Sequence, residues 1–173
     1  MKKITSVQFV IILLFIASLY VAAISKETPL PAIDDAKEQT QILQLIDTES
    51  KAFWDKDYNK WAACWVHAPY IRTMGWWKDG GVTVVKGWDE RDSRTKGYMK
   101  DFPKPNPQNV RRENINVRIF KDAAWLTFDQ YGTDTGEPLL DMPGLSRETR
   151  FLEKHNGQWK IAYAGWLLEG KEQ

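Results

Sequence analysis

VRRENINVRIFKDAAWLTFDQY, residues 110–131, and SRETRFLEKHNGQWKIAYAGWL, residues 146–167, each read as a β-hairpin. Lys121-Asp122 and Asn156-Gly157 supply two-residue turns, and the second pair is a strong signal because both central positions of such turns favour positive φ. With Phe120 opposite Ala123, one side of the first hairpin carries Ile119/Ala124, Val117/Leu126 and Ile115/Phe128 and ends at Glu113/Gln130. The other carries Arg118/Trp125, Asn116/Thr127, Asn114/Asp129 and Arg112/Tyr131. The apolar side is therefore the expected core face, because a one-residue slip would turn all of it outward. Glu113 and Gln130 then mark the mouth of that core. With His155 opposite Gln158, the second hairpin puts Leu152, Arg150 and Glu148 on a side with Ile161, Tyr163 and Gly165. The Trp159/Ile161/Tyr163 side is expected to face inward.

Working back from the hairpins, three helices precede them. Asp35 with Glu38 resembles a capping box, and Ile42, Leu45, Ile46, Glu49 and Phe53 recur at helical spacing over about 36–55. Asp57 could cap a second helix whose Tyr58, Trp61, Ala62 and Trp65 share one face, ended by Pro69. A strand begins near Tyr70, Asp79-Gly80-Gly81 is a turn, and Val82–Val85 is a short strand. Trp88, Thr95, Met99 and Phe102 space a third helix over 88–102. Prolines 103, 105 and 107 make a stiff loop, and 135–146 is another.

Residues 1–23 follow the plan of a secretory signal: Lys2 and Lys3, an apolar run from Val7 to Ala22, then small residues at Val21-Ala22-Ala23. The rival is an uncleaved anchor over residues 4–23, although the apolar run is ~16 residues and a span needs ~20. Residues 24–35, with Pro29 and Pro31, read as a linker, 36–168 as one domain and 169–173 as a tail. The expected location is periplasmic or secreted. Removing the signal takes out two lysines and no acids, so the formal charge moves from +1 to −1. Near-neutrality gives no case for nucleic acid, and Arg111-Arg112 read as solvated strand ends.

Helix, helix, strand, strand, helix and two long hairpins resemble the order of the nuclear transport factor 2-like superfamily, in particular its bacterial SnoaL-like branch. The resemblance is carried by the aromatic second helix ending in Trp65-Val66-His67, by Gly87-Trp88, and by Asn156-Gly157-Gln158-Trp159-Lys160-Ile161. It implies an α+β fold, a cone-shaped curved antiparallel sheet packed on three N-terminal helices (a cystatin-like roll), with an apolar cavity. Similar domains serve as isomerases, dehydratases, cyclases and plain binding or assembly modules, so the fold leaves function open. Many relatives carry histidines after the Trp-x-Ile step; here Tyr163 and Gly165 stand there.

Chemistry is expected from polar groups aimed into an apolar cavity containing few charges. Glu148 and His67 are the candidate acid/base groups, because burial raises a carboxyl pKa and imidazole titrates near neutrality. Glu148 could instead pair with Arg147 or Arg150, and His67 could simply bond a backbone carbonyl. Candidate ligand contacts are Tyr58, Trp65, Tyr98, Glu113, Gln130, Arg150 and Tyr163. The tyrosines could donate to a substrate oxygen and Arg150 could clamp a carboxylate. Core packing and strand-to-strand ion pairing are the plainer roles. No metal site is expected from Cys64, His67 and His155, no cofactor is implied, and Cys64 reads as a packed thiol. Trp125, on the polar side, is the expected contact of a homodimer. The expected partner is a small, partly apolar molecule. The alternatives are a metal-independent isomerase, dehydratase or cyclase, and a ligand-free accessory domain.

Overall fold

Helix α1, Asp35–Trp54, forms on the stripe Ile42, Ile46, Glu49 and Ala52, all of it buried. Asp57 caps the short helix α2, Tyr58–Ala62, by accepting a bond from the Lys60 amide at 3.1 Å. The helix ends earlier than its aromatic spacing predicts, and Cys64 and Trp65 follow in tighter turns whose amides bond Trp61 and Ala62 three residues back. Strands β1 (Arg72–Trp77) and β2 (Gly81–Lys86) come next, then helix α3 (Gly87–Asp101). The chain closes with β3 (Asn109–Phe120), β4 (Ala123–Thr133), β5 (Gly144–His155) and β6 (Gln158–Leu168). This computed structural model describes residues 35–77, 81–133 and 144–168. The expected signal, linker and tail, the Asp79-Gly80 turn and most of the loop after β4 lie outside the described residues. Gly144 to Ser146, expected in that loop, already belong to β5.

The six strands form one sheet in the order β2-β1-β6-β5-β4-β3. All neighbours are antiparallel except β1 and β6, which run parallel. The sheet is curved, the helices lie at the N-terminal end of the chain, and the architecture is the α+β roll that the element order implies. One row of partners on its inner face is Val85, Thr73, Ala164, Arg150, Leu126 and Val117. The core against the helices includes Ile42, Ile46, Trp61, Leu126, Leu152 and Ile161.

Two β-bulges change which side chains face this core. The first hairpin pairs as expected from Phe120/Ala123 to Asn116/Thr127. The register then shifts between Glu113 and Asn116, where Asn114 takes φ 51°, a left-handed conformation that asparagine tolerates. Below that point Arg112 pairs with Gln130, and Glu113 with Asp129. Arg112 therefore faces inward with Gln130, and Glu113 faces outward, the reverse of the expectation. In the second hairpin the shift falls between Phe151 and Leu152, leaving Ala162 as the extra residue. Trp159 and Ile161 point inward as expected. Beyond the bulge, Ala164 and Trp166 join Arg150 and Glu148 on the inner face, while Tyr163 pairs with Phe151 on the outer one.

Candidate functional site

The inner face of the sheet and the stripes of α1 and α3 place five charged side chains in the interior, in place of the few charges expected. Glu49 is on α1, Arg91 on α3, Arg112 on β3, and Glu148 and Arg150 on β5. Glu49 Oε1 accepts the indole N–H of Trp61 at 2.8 Å and of Trp65 at 3.2 Å. Both rings are buried, so this carboxylate satisfies two donors that water cannot reach. The Arg91 guanidinium carbon sits 5.2 Å from the Trp61 ring centre and 4.9 Å from that of Trp65. Burial pushes the Arg91 pKa down, and the charge of Glu49 opposes that shift.

Glu148 is buried and has both oxygens engaged. The Ser146 hydroxyl donates to Oε1 at 2.5 Å and Arg150 Nη1 to Oε2 at 2.7 Å. Arg150 Nη1 also donates to the carbonyls of Thr149 and Gly165. Gln130 Oε1 accepts from Arg112 Nε at 3.1 Å, and Arg112 Nη1 pairs with Asp47 on α1. Burial lowers the Arg112 pKa and Asp47 opposes it. The Phe128 ring lies between the two arginines, 5.4 Å from the Arg112 guanidinium and 5.6 Å from that of Arg150.

Among the residues expected at a site, the inner face thus holds Glu148, Arg150 and Gln130 along the same strands, with Trp65 bound to Glu49 on the helix side. The other candidates lie elsewhere. Glu113 pairs with Arg111 on the outer side. Tyr163 lies flat over Gly165 on the outer face, where an added Cβ would meet its hydroxyl at 2.6 Å. The Tyr58 hydroxyl donates to Asp92, which also pairs with Lys96 at 2.8 Å. Burial first, and then the bond to Asp92, raise the Tyr58 pKa. Tyr98 stacks on Phe53 at 5.1 Å. His67 is exposed, donates Nε2–H to the Ala62 carbonyl at 2.9 Å and stacks on Trp88 at 3.7 Å. It caps the end of α2 and makes no contact with Glu148. Cys64 is buried, and burial with the nearby charge of Glu49 pushes its thiol up to about 11, so it stays protonated at neutral pH. Among the described residues no cluster of three His, Cys, Asp or Glu side chains could hold a metal.

A cleft of about 240 Å³ separates α1 from β3 and β4, lined by Leu43, Ile46, Leu126 and Phe128 with Asp47 and Arg112 among its charged residues. It adjoins a second groove of about 380 Å³ that shares Asp47, Val110 and Arg112 and extends to Trp54 and Gln108. Glu49, Arg91 and Arg112 were not among the residues expected at a site. Glu49 and Arg91 do carry a signal in the sequence, since Glu49 is a charge on an otherwise apolar stripe and Arg91 falls between Trp88 and Thr95 on the buried stripe of α3. For Arg112 the signal is confined to Asn114, which permits the bulge.

A family model described as the SnoaL-like domain matches residues 42–165. No curated protein matches the chain. Solved structures do. One is a protein of unknown function with a cystatin-like fold from Nostoc punctiforme, 15% identical, covering 79% of this chain and 94% of its own, at a TM-score of 0.60. A nuclear transport factor 2-like protein of unknown function from Pseudomonas putida is 17% identical, covering 80% and 91%, at 0.59. A third, from the nuclear transport factor 2-like family of Streptomyces avermitilis, has a name that proposes a dehydratase; it is 14% identical, covering 79% and 99%, at 0.62. At these identities the likeness is one of fold.

Proposed function

The chain belongs to the SnoaL-like domain family, and we propose that it binds a small, partly apolar molecule between α1 and the inner face of the sheet. The cleft floored by Leu126 and Phe128 carries this reading. It has the composition of a small-molecule site, an apolar lining with a few fixed polar groups, and with the adjoining groove it reaches the usual size. Residues 1–23 support export of the domain, as a periplasmic or secreted protein. Native mass spectrometry of protein purified from the cells that make it tests the binding: a retained small molecule is expected. Replacing Leu126 by Trp should fill the cleft and expel it. Retention undiminished in the Leu126→Trp protein would sink the assignment to this cleft.

A second reading rests on Glu148. It lies within hydrogen-bond reach of Arg150 on the inner face, as an acid/base enzyme acting without a metal requires. Binding is the better-supported reading because both carboxylate oxygens are already engaged by Ser146 and Arg150, which leaves neither free to meet a substrate. Deuterium wash-in to enolisable ketones tests this reading. Exchange that Glu148→Gln leaves untouched would remove it.

The outer face favours a homodimer. Arg118, Trp125, Phe151, Tyr163 and Arg72 form one continuous row across five strands, with Trp125 40% and Phe151 37% exposed. Met74, Trp76 and Leu167 extend the apolar area beside it. A second copy of the chain would cover this area.

A further inference from the structure

We propose that the molecule bound in the interior carries a carboxylate, and that Arg91 is the residue that pairs with it. This rests on the small-molecule reading above and specifies the chemistry of the ligand. The interior holds three arginines, and two have their own anions: Arg112 has Asp47, and Arg150 has Glu148. Arg91 has neither an ion pair nor a hydrogen bond among the described residues. Its Nε is sealed from solvent without a partner. A guanidinium is always charged, and although half-buried Arg91 has its other donors less deeply placed, leaving the sealed Nε–H unmatched is costly unless something supplies an acceptor.

Glu49 does not fill that role. It acts on Arg91 through its field, while its Oε1 is committed to the indoles of Trp61 and Trp65. These two rings hold Arg91 from the side by cation–π contact, which fixes its position without using its N–H groups. Three further buried polar atoms on α3 and the inner face have no partner among the described residues. Thr95 Oγ1 is one turn along α3 from Arg91. Thr73 Oγ1 and Arg150 Nε stand in one row of the inner face, separated by Ala164. Arg150 also repels Arg91. A carboxylate between them would satisfy donors and relieve like-charge repulsion together. Phe128 connects this region to the cleft, since it lines the cleft and its ring contacts Arg150. An apolar body with one acidic end matches that sequence of surfaces.

The test compares benzoate with benzamide, a pair of like shape that differs in charge, on the full chain. Tryptophan fluorescence reads affinity, and the Arg91 Nε–H resonance reports where the anion sits. Benzoate should bind about tenfold or more tighter than benzamide, the usual value of a charge-assisted pair, and should shift the Arg91 resonance. Arg91→Met, which keeps the side-chain length, should bring the two affinities together. Equal binding of both probes to the wild-type chain would overturn the carboxylate while leaving the small-molecule reading in place. An Arg91 resonance unmoved by benzoate would overturn it as well, and that measurement needs no variant. Benzoate preference surviving in Arg91→Met would assign the anion to another residue and end the proposal.

Discussion

Replacing Glu49 by Leu should destabilise the domain through two indoles rather than through one carboxylate. Trp61 and Trp65 both donate to Glu49 Oε1, and both are almost wholly buried, so each N–H loses its acceptor with no water to replace it. Each orphaned donor costs about 1–3 kcal/mol, so the pair costs roughly 2–6 kcal/mol. The leucine recovers about 1.5–3 kcal/mol by burying apolar surface on a stripe already apolar at Ile42, Ile46 and Ala52. A net loss of about 2 kcal/mol should lower Tm by roughly 6 °C for a domain of this size. Glu49→Gln keeps an acceptor oxygen and removes the charge, so it should fall between the two. The Arg91 guanidinium also loses the field of Glu49, so the two substitutions should not add. In a urea-denaturation cycle, Glu49→Leu with Arg91→Met should cost about 1 kcal/mol less than the sum of the single changes. A Glu49→Leu protein as stable as the wild type would refute the account of the indoles. Strict additivity would refute the coupling.

Three further outcomes follow from the geometry. Glu38 accepts from Lys154 and from Trp159 Nε1, both at 2.6 Å, and the Lys154 bond, ahead of the opposing effect of burial, sets its folded pKa below the ordinary value. Its stabilising effect is thus present above the unfolded carboxyl pKa and lost as pH falls through the lower folded one, so Glu38→Gln should flatten the acid side of a urea-midpoint-versus-pH curve; an unchanged slope there counts against it. Asn114, at φ 51°, should accept Gly with little change, whereas Asn114→Val should cost about 1–2 kcal/mol in denaturation because a β-branched residue resists that conformation; a neutral valine would show that the bulge does not depend on it. Phe151→Lys, in the middle of the outer aromatic row, should convert a sedimenting dimer to monomer, and a wild-type chain that sediments as a monomer at micromolar concentration would refute the outer-face dimer.

Periodicity carried the fold because each apolar stripe had only one partner to bury against. Ile42, Ile46, Trp61 and Leu126 all lie where spacing puts them. Facing directions near the site were less legible. Simple alternation holds until Asn114 and Ala162, and each extra residue there exchanges the two sides of everything beyond it. That is why Glu113 and Tyr163 were expected inside, while Arg112 and Trp166 are found there. Asn114 is at least a residue type that tolerates the required backbone. Ala162 carries no comparable mark, since its bulge lies beside tertiary contacts: the amide of Ile161 bonds the Cys64 carbonyl and its carbonyl accepts from Val66. Glu49 and Arg91 failed to stand out for a different reason. A single charge within a stripe reads as an imperfection until a second stripe presents the opposite charge, and only tertiary structure brings the two together.

The parallel pairing of β1 with β6 bears on when the domain can form. Strand β6 is last in the chain but third in the sheet, and it alone joins the β1–β2 pair to the other three strands. Until residues 158–168 have left the ribosome, the early hairpin has no neighbour, and the sheet exists only as two separate parts. A chain cut short at the Asn156-Gly157 turn would lose the seam of the molecule rather than an edge. Such late closure would leave the chain without a joined sheet until its final strand is made.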